Sequence, residues 1–304
     1  MIYVLHWLFI LLGLFTLALL VPVVAGFERW FESRSLSNRR SMFVNIRQSA
    51  GEYKNIFGKY AFGLQIIDRI KIYSLPMIIL LIFGILPLSP MFDGKLLVAG
   101  GFNFSILLLV FLLCMFSYIS SEYYENKDIL IVSLIISVVS ILSVVLSAET
   151  YKISDIVYQQ IVDSEGKTKY SYLILPAWFA FLVFIFSGFV LFNQLKFNIK
   201  TNYRVLRILE IPSLITFAAI TVVIFLGSWH FPGLPIFLAA NTGSFLVIIL
   251  CIIIFLAKFF IVIILILKLK SAVLRRDSSW LLKILYRIAF PVSFINLVYM
   301  LIIR

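Results

Sequence analysis

Residues 242–267 read TGSFLVIILCIIIFLAKFFIVIILIL, an apolar run carrying one charge, Lys258. An α-helix rises about 1.5 Å per residue, so about 20 such residues cross the roughly 30 Å hydrocarbon layer of a membrane. The run therefore reads as a membrane span. Seven further stretches read the same way: 2–26, 72–91, 100–121, 129–147, 172–194, 208–228 and 281–303. The second is short and broken by Pro76, Pro87 and Pro90, which membrane helices tolerate when neighbours satisfy the freed carbonyl. The first is too long for a cleaved signal peptide, has no basic n-region and offers no small-residue cleavage site before Glu28 and Arg29. Composition agrees with the count. Of 304 residues, 62% are hydrophobic and 13% charged, against about 45–50% and about 25% in soluble domains. A soluble enzyme, a disordered chain and a secreted disulfide scaffold are excluded.

The net charge of +12 would point to nucleic acid in a soluble protein. Here it marks topology, because basic loops stay on the cytoplasmic or matrix side. With the N-terminus outside, the inner loops 27–71, 122–128, 195–207 and 268–280 hold eighteen of the 26 Lys and Arg. The outer loops and Arg304 hold five, and Lys258, Lys283 and Arg287 lie within spans. The expectation is an all-α polytopic protein of eight transmembrane helices, both termini outside, forming a single membrane domain over 1–304. Outer loop 148–171 is expected to carry a short amphipathic helix near Ile153–Val157.

The longest inner loop, 27–71, reads FERWFESRSLSNRRSMFVNIRQSAGEYKNIFGKYAFGLQIIDRIK. Its interleaved aromatic and basic residues suit helices lying at the inner membrane face, with aromatics toward lipid and cations at the headgroups. Lipid anchoring is one reading. The other is a docking surface for a peripheral protein, or the mouth of a site for a polar-headed lipid such as a quinone.

Ionisable residues within spans are costly and by default functional. Glu210 lies near the inner end of the sixth span beside Pro212, either as a wetted interfacial carboxylate next to Arg207 or as a coupling group. Lys258 lies deep in the seventh span, between Ala257 and Phe259, where snorkelling to an interface is strained. Ser133, Ser137, Ser140, Ser143 and Ser147 share one face of the fourth span, which reads as close helix packing or as a hydrated polar seam. His6 and His230 give no metal spacing, and Cys114 and Cys251 sit in apolar runs as inert small hydrophobes. The sequence offers no P-loop, Rossmann glycine pattern, nucleophile elbow or iron–sulfur cysteine set, so no catalytic residue and no metal is assigned to it.

Several short motifs occur in order along the chain. Phe27-Glu28-Arg29 resembles F-E-R-K, and Asn38-Arg39 resembles the Asn-Arg of G-P-N-R-x-G. Gln48 to Lys54 resembles Q-P-x-A-D-x-x-K, one residue short. Ile153 to Val157 with Gln160 resembles L-S-[DE]-I-V-x-x-Q, and Leu209-Glu210 resembles the A-E-Y opening of a sixth helix. Phe225 to Trp229 resembles F-L-G-G-W, Lys258 falls where a seventh-helix lysine stands, and Asp277 with Arg287, Pro291 and Asn296 resembles D-Q-L-M followed by K-x3-P-x4-N. Together they resemble the family of complex I membrane subunit 1, which includes the mitochondrial protein, its bacterial counterpart and relatives in membrane-bound hydrogenases.

The resemblance implies a membrane-arm subunit of a complex I-type NADH:ubiquinone oxidoreductase, joining the membrane arm to the peripheral arm and inactive alone. It implies that Glu28, Arg29, Asn38 and Arg39 frame the quinone entrance and docking face, and that Glu210 and Lys258 belong to a proton relay. It implies that the chain binds no cofactor itself, with ubiquinone or another quinone as substrate at its inner-face boundary. The implied partners are other membrane-arm and peripheral-arm subunits and membrane lipids, not nucleic acid. Two departures stand out. The family's acid-rich loop before the sixth helix is replaced by Lys196, Lys200, Arg204 and Arg207, and its fourth-helix glutamate is replaced by the serine stripe. An ion-coupled secondary transporter and a purely structural membrane anchor are the alternatives. Abundant Phe, Ile, Tyr and Lys point to an AT-rich genome, favouring a mitochondrial over a bacterial energy-transducing inner membrane.

Overall fold

In hydrocarbon every backbone N–H and C=O needs a partner inside the protein, and a helix supplies one residue by residue. The computed structural model describes residues 19–30, 66–86, 105–121, 127–160, 177–193, 203–229, 245–273 and 278–303. These residues are helical, apart from short links and one antiparallel bridge between Ser105 and Lys152. In chain order they form α1 (19–30), α2 (Ile66–Ile85), α3 (Ile106–Ser121), α4 (Lys127–Ala148) and α5 (Ile153–Gln159). After these come α6 (Trp178–Asn193), α7 (Tyr203–Leu226), α8 (Phe245–Val273), α9 (Ser278–Ile284), a π turn (Leu285–Ala289) and α10 (Phe290–Ile303).

Among the described residues, three segments are long and apolar enough to cross a membrane: Lys127–Ala148, Ile249–Val273 and Ser279–Ile302. Ile106–Ser121, Trp178–Leu191 and Glu210–Leu226 are shorter apolar helices. Each expected span from the second to the eighth thus overlaps a helix with shifted ends, and of the first, 2–26, the described part 19–26 is helical while 2–18 lies outside the described residues. α8 continues six residues beyond the expected end at 267, because Lys268 and Lys270 are good helix formers with no breaker among them. The short helix expected near Ile153 is α5.

α7 is the centre of the bundle. From Ser213 to Phe225 no side chain is more than 1% exposed, as expected of a helix that is apolar all round. It packs against α6, α8 and α2, while α4 packs against α6 and α10. The outer helices turn Ile253, Ile261, Ile295 and Ile302 outward. Where α6 meets α7, the rings of Phe184 and Phe217 lie 5.2 Å apart, and Phe184 lies 5.3 Å from Phe225. Gly188 makes this contact possible, since a Cβ there would overlap the Phe217 ring. Gly188→Ala is therefore expected to cost about 1–3 kcal/mol by overpacking, read as a lower thermal midpoint of the purified protein in detergent.

The serine face of α4 does what small residues do in close helix packing. Ser137 and Ser187 share a 2.9 Å hydrogen bond between α4 and α6. Ser133 and Ser140 donate to the carbonyls of Ile129 and Ile136, one turn back.

The eighth expected span is not a regular helix. Pro291 has no N–H for the carbonyl four residues before it, and its ring crowds that carbonyl. The chain widens to a π turn just ahead, where the Phe290 N–H donates to Leu285 O. The buried positions Leu281, Leu285, Ala289 and Ser293 follow at steps of four. In a regular helix three such steps rotate the stripe by about 120°, and the one-residue surplus of a π turn takes up this drift.

Candidate functional site

Glu210 sits in the first third of α7, two residues before Pro212, and is 4% exposed. Ser213 donates to the Glu210 carbonyl at 2.8 Å, holding the helix together across the proline. Opposite it runs α8, antiparallel to α7: Lys258 reaches the last turn of α7, and Lys270 reaches Glu210. The buried face of α8 is built from Phe259, Ile263, Ile266 and Lys270, at steps of four, three and four. Lys270 Nζ donates to Glu210 Oε1 at 2.7 Å and also to Glu28 Oε1 on α1. All three side chains are buried.

One ammonium between two carboxylates makes a cluster of formal charge −1 that ties three helices distant in sequence. Such groups tolerate a low-dielectric interior only when each charge is paired and hydrogen-bonded. Both bonds are charge-assisted. With two acceptors competing for one cation, the arrangement can hand a proton or a cation from one carboxylate to the other without moving the backbone.

A second polar centre lies where α7 ends. Gly227 and Ser228 are both left-handed, at φ +67° and +51°, and the Ser228 N–H turns back to Val222 O at 3.0 Å. Gly227 fits because it lacks a Cβ, which would press on Gln160 Oε1 at 3.1 Å. The turn leaves carbonyls without helical partners. Lys258 Nζ donates to Leu226 O at 2.5 Å and Ser228 O at 3.0 Å, and Gln160 Nε2 donates to Ile224 O at 3.2 Å. Lys258 thus caps α7.

Glu28 and Glu210, expected in two separate roles, meet in one cluster. The reading of Glu210 as a wetted interfacial carboxylate is corrected, because packing by α1 and α8 removes it from solvent. The residue that joins them, Lys270, falls by hydropathy in an inner loop at 268–280, and it is a buried helical residue instead. The face periodicity of α8 is the signal for it: Lys268 falls on the exposed side and Lys270 on the buried side. Lys258 does not join Glu210. It lies twelve residues from Lys270, about 18 Å along the helix, with its hydrogen bonds at the opposite end of α7. Arg29 is half-buried on α1, next to Glu28. Asn38 and Arg39 lie outside the described residues.

No family model and no curated protein sequence matches the chain. Among solved structures, the fold is similar to a chain from the membrane-bound sulfane sulfur reductase (MBS), described as an archaeal respiratory membrane complex. The TM-score is 0.70, covering 97% of this chain and 99% of that chain at 16% sequence identity. At that identity the likeness is one of fold.

Proposed function

We propose that this chain is a membrane-arm subunit of a complex I-like respiratory complex, joining the membrane arm to a peripheral electron-transfer arm. The observation that carries the reading is the fold's similarity, over nearly its whole length, to a chain of a respiratory membrane complex. On this reading the chain is one membrane domain of eight spans with both termini outside. The basic, aromatic segment 27–71 docks the peripheral subunits, and the electron carriers sit on other chains. The membrane is an energy-transducing one.

Glu28, Arg29, Asn38 and Arg39 frame the entrance for a quinone substrate at the inner face. Glu28 ends a relay that runs through Lys270 to Glu210, and Lys258 serves it further along α8. Negative charge arriving at the entrance draws Lys270 toward Glu28 and loosens it from Glu210, which then takes up a proton. When the charge leaves, the lysine returns and the proton is released. The cluster supports this reading by its composition, one cation shared by two buried carboxylates. The basic stretch from Lys196 to Arg207 supplies no acid, so the protons consumed at the entrance come through carboxylates of neighbouring subunits.

The test is the particle in which the chain lives. Gentle detergent extraction of native membranes, native electrophoresis and mass spectrometry should find it co-migrating with iron–sulfur subunits in a complex of many chains. A small homo-oligomer without redox partners would overturn the proposal.

A further inference from the structure

The closing helix, α10, packs against α4 and α6. Its buried face carries Ser293, Asn296 and Met300. Asn296 is 3% exposed, and neither its Nδ2 nor its Oδ1 has a hydrogen-bond partner among the described residues. A primary amide offers two donors and an acceptor with two lone pairs. Buried polar groups are, as a rule, satisfied, and an apolar side chain of the same bulk would fill this position without that demand. The amide calls for a partner that both donates and accepts.

The α4 wall supplies the complement. Ser133, Ser140 and Ser143 each give their hydroxyl proton to a carbonyl of their own helix, at 2.6, 2.9 and 3.1 Å. Their oxygens are left as acceptors in a buried face. A serine stripe by itself is helix packing. An amide with both functions unmet, on the buried face of a helix that packs against α4, is a different matter. Among the described residues, no charged side chain is buried in α4, α6 or α10, so the complementary ligand is small and neutral.

We infer that α4, α6 and α10 enclose a water-binding site anchored on Asn296. A water there donates to serine oxygens of α4 and exchanges hydrogen bonds with the amide, reaching the two to four partners a buried water requires. The site lies apart from the charged cluster of α1, α7 and α8, and it does not rest on the respiratory reading. It gives the bundle a second polar interior, made of neutral groups, through which a proton can pass by exchange of hydrogen bonds.

Met300 is a built-in reporter. It lies one turn from Asn296 on the same face and is 6% exposed, whereas Met115 is 39% exposed on the apolar surface of α3. Millisecond X-ray radiolysis generates hydroxyl radicals from water where the water is. The native assembly, held in lipid nanodiscs, is irradiated, and oxidation of each methionine is read by mass spectrometry. Met300 should be oxidised several-fold faster than Met115, and Asn296→Leu should slow Met300 several-fold while Asn296→Ser largely preserves its rate. Met300 oxidation no faster than that of Met115 overturns the site. A Met300 rate unmoved by Asn296→Leu also overturns it, because the oxidant then comes from bulk solvent. Should Asn296→Leu fail to assemble, the double substitution Ser140→Ala and Ser143→Ala, on the buried serine face of α4, is read by the same criterion.

Discussion

Lys270→Leu is expected to lower stability by about 3–5 kcal/mol, the usual cost of removing one partner from a buried ion pair. That corresponds to a hundredfold or greater loss in the folded-to-unfolded ratio. The cost comes chiefly from stranding Glu28 and Glu210 in the interior, more than from losing the bonds themselves. Three comparisons separate these terms. Lys270→Arg keeps the charge, and its planar fork can serve two carboxylates, so it should stay close to the wild type. Replacing Glu28, Lys270 and Glu210 together by leucine removes all three charges and should regain most of the stability. On the proposed relay, the same triple variant should nonetheless lose proton coupling in the native complex. The measurements are thermal midpoint in detergent and proton uptake per electron in vesicles. A triple variant that couples normally would reduce the cluster to a structural clamp. Because the charges are buried, raising the ionic strength should leave the ranking unchanged.

The helical architecture is legible in the sequence because hydrocarbon leaves a chain few options. An apolar run as long as that around Lys258 can satisfy its backbone only as a helix, and α8 is one. Helix ends are less legible, since hydropathy measures where apolar side chains stop and not where the helix does. α8 runs on past Leu267 through two lysines, and α7 starts at Tyr203, ahead of its apolar stretch. The π turn at Leu285–Ala289 departs from the expected regular span, although Pro291 and the buried stripe at steps of four are its signals in the sequence.

The candidate site is half legible. Glu210 and Lys258 stand out because ionisable residues within apolar runs are expensive, whereas Glu28 is singled out only by the resemblance of Phe27-Glu28-Arg29 to F-E-R-K. Lys270 does not stand out, because a lysine near a basic inner end reads as a topology signal. Only the side of the helix distinguishes it from Lys268, two residues away and exposed. Which carboxylate a buried lysine meets is a tertiary matter. Glu28 and Lys270 are 242 positions apart, and no local pattern couples them. Lys258 is legible as a costly residue but not as a cap, because the break in α7 that frees Leu226 O and Ser228 O depends on two left-handed residues, one of them a serine.

That capping role makes Lys258 the sharpest test of the relay. Lys258→Met removes both the charge and the donors, leaving the Leu226 and Ser228 carbonyls without the ammonium at the broken end of α7. Losing hydrogen bonds to a charged group at buried acceptors should cost about 2–3 kcal/mol, read as a lower thermal midpoint and less chain in the assembled complex. Lys258→Gln keeps an N–H donor for these carbonyls while removing the charge, and it should recover about half of that loss. If Lys258 acts only as a cap, Lys258→Gln complexes that assemble should turn over and couple like the wild type. If it belongs to the relay, they should assemble, keep electron transfer from donor to quinone, and lose most of their proton translocation. Gln160 provides the control, since it holds the neighbouring Ile224 carbonyl and carries no charge. Gln160→Leu should weaken the same corner without disturbing coupling, because its contribution is confined to the backbone of the turn. A Lys258→Gln complex that still translocates protons normally would remove Lys258 from the relay and leave it as the residue that allows α7 to end inside the bundle.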